Sequence, residues 1–203
     1  MRQATTLDIF LLVSLGIIWG SSFFNIKIAL ESYDPFTLAL VRVFFASVPL
    51  LTLCFIKNVK ILAFTKNWKP YALIGLCNIT IPFALIAIGT NKIDSYLAAI
   101  LMSTTPISGS ILAHFFTKNE KITFSKSIGI ILGFSGIIFL FFDKVVINYN
   151  NYLYALIVIA GSTFYSIGGI LTLKLKNMGN ENVTTSTTLW SILFLTPLAF
   201  LFG

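Results

Sequence analysis

The sequence predicts an all-α polytopic membrane protein, a helical bundle of about seven transmembrane helices, and three observations lead there. Of its 203 residues, 57% are hydrophobic and 10% charged, with a mean hydropathy of +0.91. A soluble domain carries roughly 25% charged residues, so lipid must solvate much of this surface. Seven apolar stretches each approach the ~20 residues that a helix needs to cross a bilayer, and the breakers and charges collect in the gaps between them. Lipid offers a backbone no outside partner, which favours helices, and the short alternating segments of an outer-membrane barrel are absent.

The first span covers residues 7–30. It is too long for a signal peptide, has no small-residue cleavage site, and is followed by equally apolar segments. Glu31-Ser-Tyr-Asp34-Pro35 breaks the chain before the second span, 35–56, and the stretch Lys57 to Lys66 separates it from the third, 68–89. Asn91-Lys-Ile-Asp94 precedes the fourth span, 95–116, and Thr117 to Lys121 precedes the fifth, 124–142. Asp143 to Asn150 leads to the sixth, 151–173, and Lys174 to Asn182 to the seventh, 184–202. Trp68 suits the interfacial belt, whereas Trp19 and Trp190 are expected to pack mid-bundle. Cys54 and Cys77 fall inside spans, where they act as small hydrophobes, and nothing in their spacing suggests a disulfide framework or a metal site.

The formal charge is +7, yet the basic residues form neither a face nor an aromatic-interleaved groove of the kind nucleic acid requires. They are instead distributed as a membrane orientation. With the N-terminus in the cytoplasm, the inner segments hold Arg2, Lys57, Lys60, Lys66, Lys69, Lys118, Lys121, Lys126, Lys174 and Lys176. The outer ones hold Lys92 and Lys144 against Glu31, Asp34, Asp94 and Asp143, with Lys27 near the outer end of the first span. Positive charge inside is the usual bias, so a multi-pass protein of the cell membrane with a cytoplasmic N-terminus is expected.

An internal repeat refines the count. Gly20-Ser-Ser-Phe-Phe-Asn-Ile26 returns as Gly161-Ser-Thr-Phe-Tyr-Ser-Ile167, and Pro49-Leu-Leu returns as Pro197-Leu-Ala. Five spans separate the two starts, and an odd number inverts the second copy. Inverted repeats mark many secondary transporters, whose substrate site lies near the midplane where the copies meet. Residues 1–145 form the first five-helix repeat, and 146–203 form two helices of an incomplete second one. Either the chain is shortened, or a complementary chain or a second copy supplies the rest.

Trp19-Gly-Ser-Ser-Phe23, then Asp34-Pro35 and Leu40-Val-Arg42-Val-Phe44, together resemble the drug/metabolite transporter superfamily in its EamA-type repeat. Ala98-Ala-Ile-Leu-Met-Ser-Thr-Thr-Pro106 and Phe116-Thr-Lys-Asn-Glu120 resemble the same family's fourth helix and its closing glutamate. The resemblance covers one full repeat and the start of the second. It implies a ten-helix carrier with both termini inside and a central cavity open alternately to each side. Its substrates would be small metabolites such as amino acids, often exported and often coupled to protons. Asn91-Lys-Ile-Asp94 departs from the family, which more usually has small residues there.

Polar side chains are costly in a membrane helix and face protein or water. Ser14, Ser21 and Asn25 share one stripe of the first span; Tyr71, Gly75, Asn78 and Pro82 share one in the third. Ser103, Ser110 and His114 lie on the fourth span, and Ser162, Tyr165, Gly169 and Thr172 on the sixth. Such stripes suit a polar cavity, and they equally suit close helix packing with modest hydrogen bonds. Ser14, Trp19, Ser21, Asn25, Arg42, Asn78, Ser103, Ser162 and Tyr165 are the candidate cavity residues. Arg42 lies about two turns, roughly 10 Å, from the outer end of its helix. It attracts an anionic substrate at the cavity mouth, snorkels to the headgroups, or pairs with Glu31 or Asp34 to fix the turn between the first two spans. His114, the one histidine, is a candidate for proton coupling or a structural contact near the interface. Glu120 is expected to terminate the fourth helix. Pro49, Pro82 and Pro106 each remove a backbone hydrogen bond and can kink or hinge a helix, while Gly129-x-x-x-Gly133 suits close helix contact.

Other functions fit less well. A retinal pump needs a lysine in the last span, and residues 184–202 contain none. An enzyme needs a paired acid and base, a nucleophile with its base, or a phosphate loop, and none appears within the spans. No cofactor and no metal are expected. The partners expected are the lipid bilayer, a small-molecule substrate and protons.

Overall fold

The computed structural model describes residues 5–117, 121–141 and 149–203. Its helices are α1 (Thr6–Ala29), α2 (Pro35–Ile56), α3 (Lys69–Lys92), α4 (Ser95–Phe116), α5 (Phe124–Phe141), α6 (Tyr149–Leu173) and α7 (Asn180–Phe202). Among the described residues, α1, α2, α3, α4, α6 and α7 are each long and apolar enough to cross a membrane. The protein is an all-α polytopic membrane protein. Arg2, Lys118, Glu120, Asp143 and Lys144 lie outside the described residues, as does the C-terminal edge of the fifth span.

Local chemistry sets the helix ends. Thr5 and Asp8 form a capping box on α1: the Asp8 N–H donates to Thr5 Oγ1 at 3.3 Å and the Thr5 N–H to Asp8 Oδ2 at 2.8 Å. Asp34 caps α2, accepting from the Phe36 and Thr37 N–H groups at 2.8 and 3.0 Å, with Pro35 preset for the first turn. Winding changes where prolines interrupt the ladder. A π-helical turn over Leu76–Thr80 precedes Pro82 in α3, and α4 breaks after Met102 to restart at Thr105 with Pro106 in its first turn. Pro49, by contrast, sits within an unbroken α2.

Three antiparallel or parallel pairs build the bundle. α2 and α7 run antiparallel along their whole length, from the Phe36–Phe202 rings at 5.4 Å, through Val43 and Leu195, to the Lys57–Glu181 ion pair at 2.7 Å. α3 and α6 are also antiparallel, and glycines let them approach. A Cβ on Gly89 would meet Val158, one on Gly161 would lie 3.1 Å from Ile86, and one on Gly168 would lie 2.6 Å from the Asn78 Cα. α4 runs parallel to α6. The C-terminal end of α1 packs through Phe23, Ile26 and Leu30 onto α3 and α4, in small clusters with Ala87 and with Leu97 and Ala98.

Within the chain, Gly129 and Gly133 meet no neighbouring helix: a Cβ at either has nothing within 4 Å, and a cleft lies between α5 and α4. Trp19 is likewise not packed mid-bundle but 69% exposed. It shares the stripe of Phe23, Ile26 and Leu30, yet α1 has parted from its neighbours one turn below Phe23. Trp190 is not mid-bundle either. It stacks on Trp68 at 4.8 Å and donates its indole N–H to the Ala63 carbonyl at 2.8 Å, which ties the α2–α3 loop to α7.

Candidate functional site: the junction of α2, α3 and α6

Arg42, Phe83 and Tyr165 meet where α2, α3 and α6 come together. The guanidinium carbon of Arg42 lies 4.5 Å from the centre of the Phe83 ring, and the Tyr165 ring lies 6.1 Å from the same ring. The ring face offers the cation electrostatic attraction that lipid cannot. The alternative of an ion pair with Glu31 or Asp34 is not realised among the described residues, and the Asp34 carboxylate is occupied by the cap of α2. Arg42 is thus a half-buried cation that meets no carboxylate among the described residues. A chemistry that suits it is a bidentate hold on a carboxylate or phosphate.

Other candidates gather into helix contacts. Ser162 is fully buried, its Oγ 2.9 Å from both Thr104 Oγ1 and Thr105 Oγ1, at the break in α4. One turn on, Ser166 Oγ lies 2.7 Å from Ser108 Oγ and donates to the Thr105 carbonyl at 3.0 Å. At the break the Thr104 and Thr105 hydroxyls donate to the Leu101 and Met102 carbonyls, and Ser166 reaches the Thr105 carbonyl from α6. Ser103 turns back onto its own helix, donating to the Ile100 carbonyl at 2.5 Å. Asn78 faces Gly168, and Tyr71 accepts a hydrogen bond from Asn182 Nδ2 at 3.2 Å. The α3 stripe thus divides, its N-terminal half going to α7 and its C-terminal half to α6.

The α1 candidates are not brought to this junction. Ser21 and Asn25 are exposed, Ser14 is half-buried, and Ser21 donates to its own Ile18 carbonyl at 3.0 Å. At the C-terminal end of α4, His114 Nδ1 accepts the Ile122 N–H at 3.2 Å, and the His114 carbonyl accepts from Lys121 Nζ at 2.7 Å.

Two features escaped the sequence reading. Lys27 on α1 donates to the Thr90, Asn91 and Ile93 carbonyls at 3.0, 3.1 and 2.8 Å, closing the C-terminal end of α3. Helix α7 carries a buried polar stripe of Asn182, Thr185, Ser186, Thr187, Thr188 and Ser191. Asn182 Oδ1 accepts the Leu62 N–H and the Ser186 hydroxyl, both at 3.0 Å, and Ser191 Oγ donates to the Gly75 carbonyl at 3.0 Å. The signal for the stripe was present: Ser, Thr and Asn recur at three- and four-residue spacing from residue 182 to 191.

The EamA-like transporter family matches residues 6–142. Relatives include the uncharacterized transporter YdfC of Bacillus subtilis, 29% identical over 176 residues, covering 86% of this chain and 51% of the relative. The uncharacterized inner membrane transporter YedA of Escherichia coli strain K12 is 32% identical over 143 residues, 69% of this chain and 45% of its own. The uncharacterized transporter YoaV of Bacillus subtilis is 27% identical over 130 residues, 64% and 44% respectively. The chain thus spans about half the length of the curated relatives it matches. No solved structure matches it significantly. The chain is a multi-pass membrane protein and belongs to the EamA-like transporter family.

Proposed function

We propose that the protein is a secondary transporter of small metabolites, such as amino acids or related compounds, that works by alternating access in the cell membrane with its N-terminus in the cytoplasm. The observation that carries this reading is the Arg42–Phe83–Tyr165 junction. It joins a cation from α2 and an aromatic from α3 to a tyrosine from α6. In the inverted-repeat arrangement α2 and α3 belong to the first copy and α6 opens the second, and the place where copies meet is where such carriers bind substrate. Two geometric facts support it. α1 runs parallel to α3 and α6 antiparallel to α3, so the helices that carry the repeated heptapeptide point in opposite directions. Lys57, Lys60, Lys66, Lys121, Lys126, Lys174 and Lys176 also fall at one end of the bundle, as a cytoplasmic face requires.

A half-carrier that needs a partner chain is the second reading, favoured by the bare polar face of α1 at Ser21 and Asn25. Counterflow of labelled metabolites in proteoliposomes tests both. Arg42→Ala should abolish flux of a carboxylate substrate while the protein remains folded, and Arg42→Lys should restore it partly. If Arg42→Ala yields no folded protein, the arginine is structural and the substrate reading falls. If wild-type chain moves nothing alone but does so with a longer relative's C-terminal half, the half-carrier reading stands.

A further inference from the structure

We infer that the cleft between α4 and α5 holds an anionic phospholipid of the inner leaflet, with its acyl chain against the glycine face of α5 and its phosphate between Lys121 and Lys126. The placement on the inner leaflet rests on the orientation proposed above.

The cleft has a volume of about 500 Å³ between Ser103, Pro106 and Ser110 on α4 and Gly129, Gly133 and Phe134 on α5. It continues at its inner end into a recess of about 240 Å³ that reaches Ala113, Ile122 and the two lysines. Gly129 and Gly133 leave its floor open, with nothing within 4 Å of where a Cβ would stand. From Ala113 to Ser103 the wall of α4 rises about 15 Å at 1.5 Å per residue. That is half of the ~30 Å hydrocarbon core, the depth of one leaflet. An extended acyl chain has this length and is thin. A helix about 10 Å across and 15 Å long would need on the order of 1,200 Å³, more than twice the main cleft.

The charge at the mouth selects the headgroup. Among the described residues neither Lys121 nor Lys126 meets a carboxylate. Lys121 is held at the rim by its bond to the His114 carbonyl at 2.7 Å, which leaves two of its N–H groups to donate elsewhere. A basic recess between transmembrane helices on the cytoplasmic side is the arrangement that anionic headgroups recognise. A zwitterionic lipid would bring its own cation to the same two ammonium groups.

The test is native mass spectrometry of the full chain released from nanodiscs containing equal phosphatidylglycerol and phosphatidylcholine. One phosphatidylglycerol should stay on each chain, and K121Q/K126Q should lower its retention about tenfold. K174Q/K176Q, which removes the same charge from the same end of the bundle, should leave retention unchanged. Gly133→Leu keeps both lysines but fills the floor at an open position, and it should lower retention equally while circular dichroism shows helicity intact. Equal retention of both lipids overturns the proposal, as does an equal loss in the two lysine pairs, which would mean diffuse surface attraction. Displacement by millimolar inorganic phosphate would make the recess a free-anion site instead. A dimer broken by Gly133→Leu would make the cleft a contact with a second copy. Either result overturns it. Flux is not read in any arm, so failure here leaves the transport reading standing.

Discussion

Helices α1 and α6 carry versions of one heptapeptide, residues 20–26 and 161–167, in opposite surroundings. Ser21 is exposed whereas Ser162 is fully buried against Thr104 and Thr105. Phe24 is 62% exposed, while its counterpart Tyr165 shares Phe83 with Arg42. Gly20 has open space beside it, but a Cβ at Gly161 would lie 3.1 Å from Ile86. The same local sequence is a packing surface in one copy and an unoccupied face in the other. The difference lies in the partners: α6 is flanked by α3 and α4 along its length, and α1 touches them only towards its C-terminal end.

The largest expected effect comes from crowding the packed copy. Gly161→Leu forces a side chain against Ile86, Leu85 and the Pro82 carbonyl and should cost about 3 kcal/mol, while its counterpart Gly20→Leu should cost nothing measurable. Thermal unfolding in detergent micelles reads both, and equal effects would break the comparison. Next is Lys27→Met, which strips the cation from three carbonyls at the end of α3 and should cost about 2 kcal/mol. It should also loosen the polar attachment of α1 to α3, seen as faster hydrogen exchange over residues 20–30. Unchanged exchange there would mean that the apolar contacts of Phe23, Ile26 and Leu30 suffice.

Smaller effects sharpen the contrast. Ser162→Ala should cost about 1 kcal/mol, near the upper range for hydroxyl bonds between membrane helices, whereas Ser21→Ala should be silent in the same melting assay. The smallest concerns a helix end. Burial pushes the Asp34 carboxyl up, but the hydrogen bonds from Thr37 and Phe36 outweigh it and hold it below the usual carboxylate range. A lowered folded pKa gives stability that is complete above the unfolded value, near ~4, and is lost as pH falls through the folded one. Asp34→Asn should flatten that acid limb of the melting-temperature profile and change neutral stability by about 0.5 kcal/mol or less.

Much of the fold was legible in the sequence. The predicted span 35–56 coincides with α2 at Pro35–Ile56 and 95–116 with Ser95–Phe116, because apolar length is the dominant signal in lipid. The start of the last helix was misplaced. It begins at Asn180 rather than Thr184, since Asn180, Glu181 and Asn182 read as loop residues. Asn182 belongs in the helix because Leu62, Tyr71 and Ser186 satisfy its amide, and Glu181 because Lys57 pairs with it. Of the candidate site, the weight on Arg42 and Tyr165 could be read from rarity: a charge or a phenol within an apolar span needs a reason. That they share one phenylalanine could not.

What the sequence determined by itself is the membrane environment, the helix boundaries to within a few residues, the family and the asymmetry of charge, all properties of consecutive residues. Tertiary structure alone decided which copy of the heptapeptide is buried, that Lys27 closes α3, and that Arg42 rests on Phe83 rather than on Asp34. Each of these turns on a partner at least 40 positions away in the chain. Inside lipid every polar group competes for the few protein partners within reach, and only the packed bundle determines which those are.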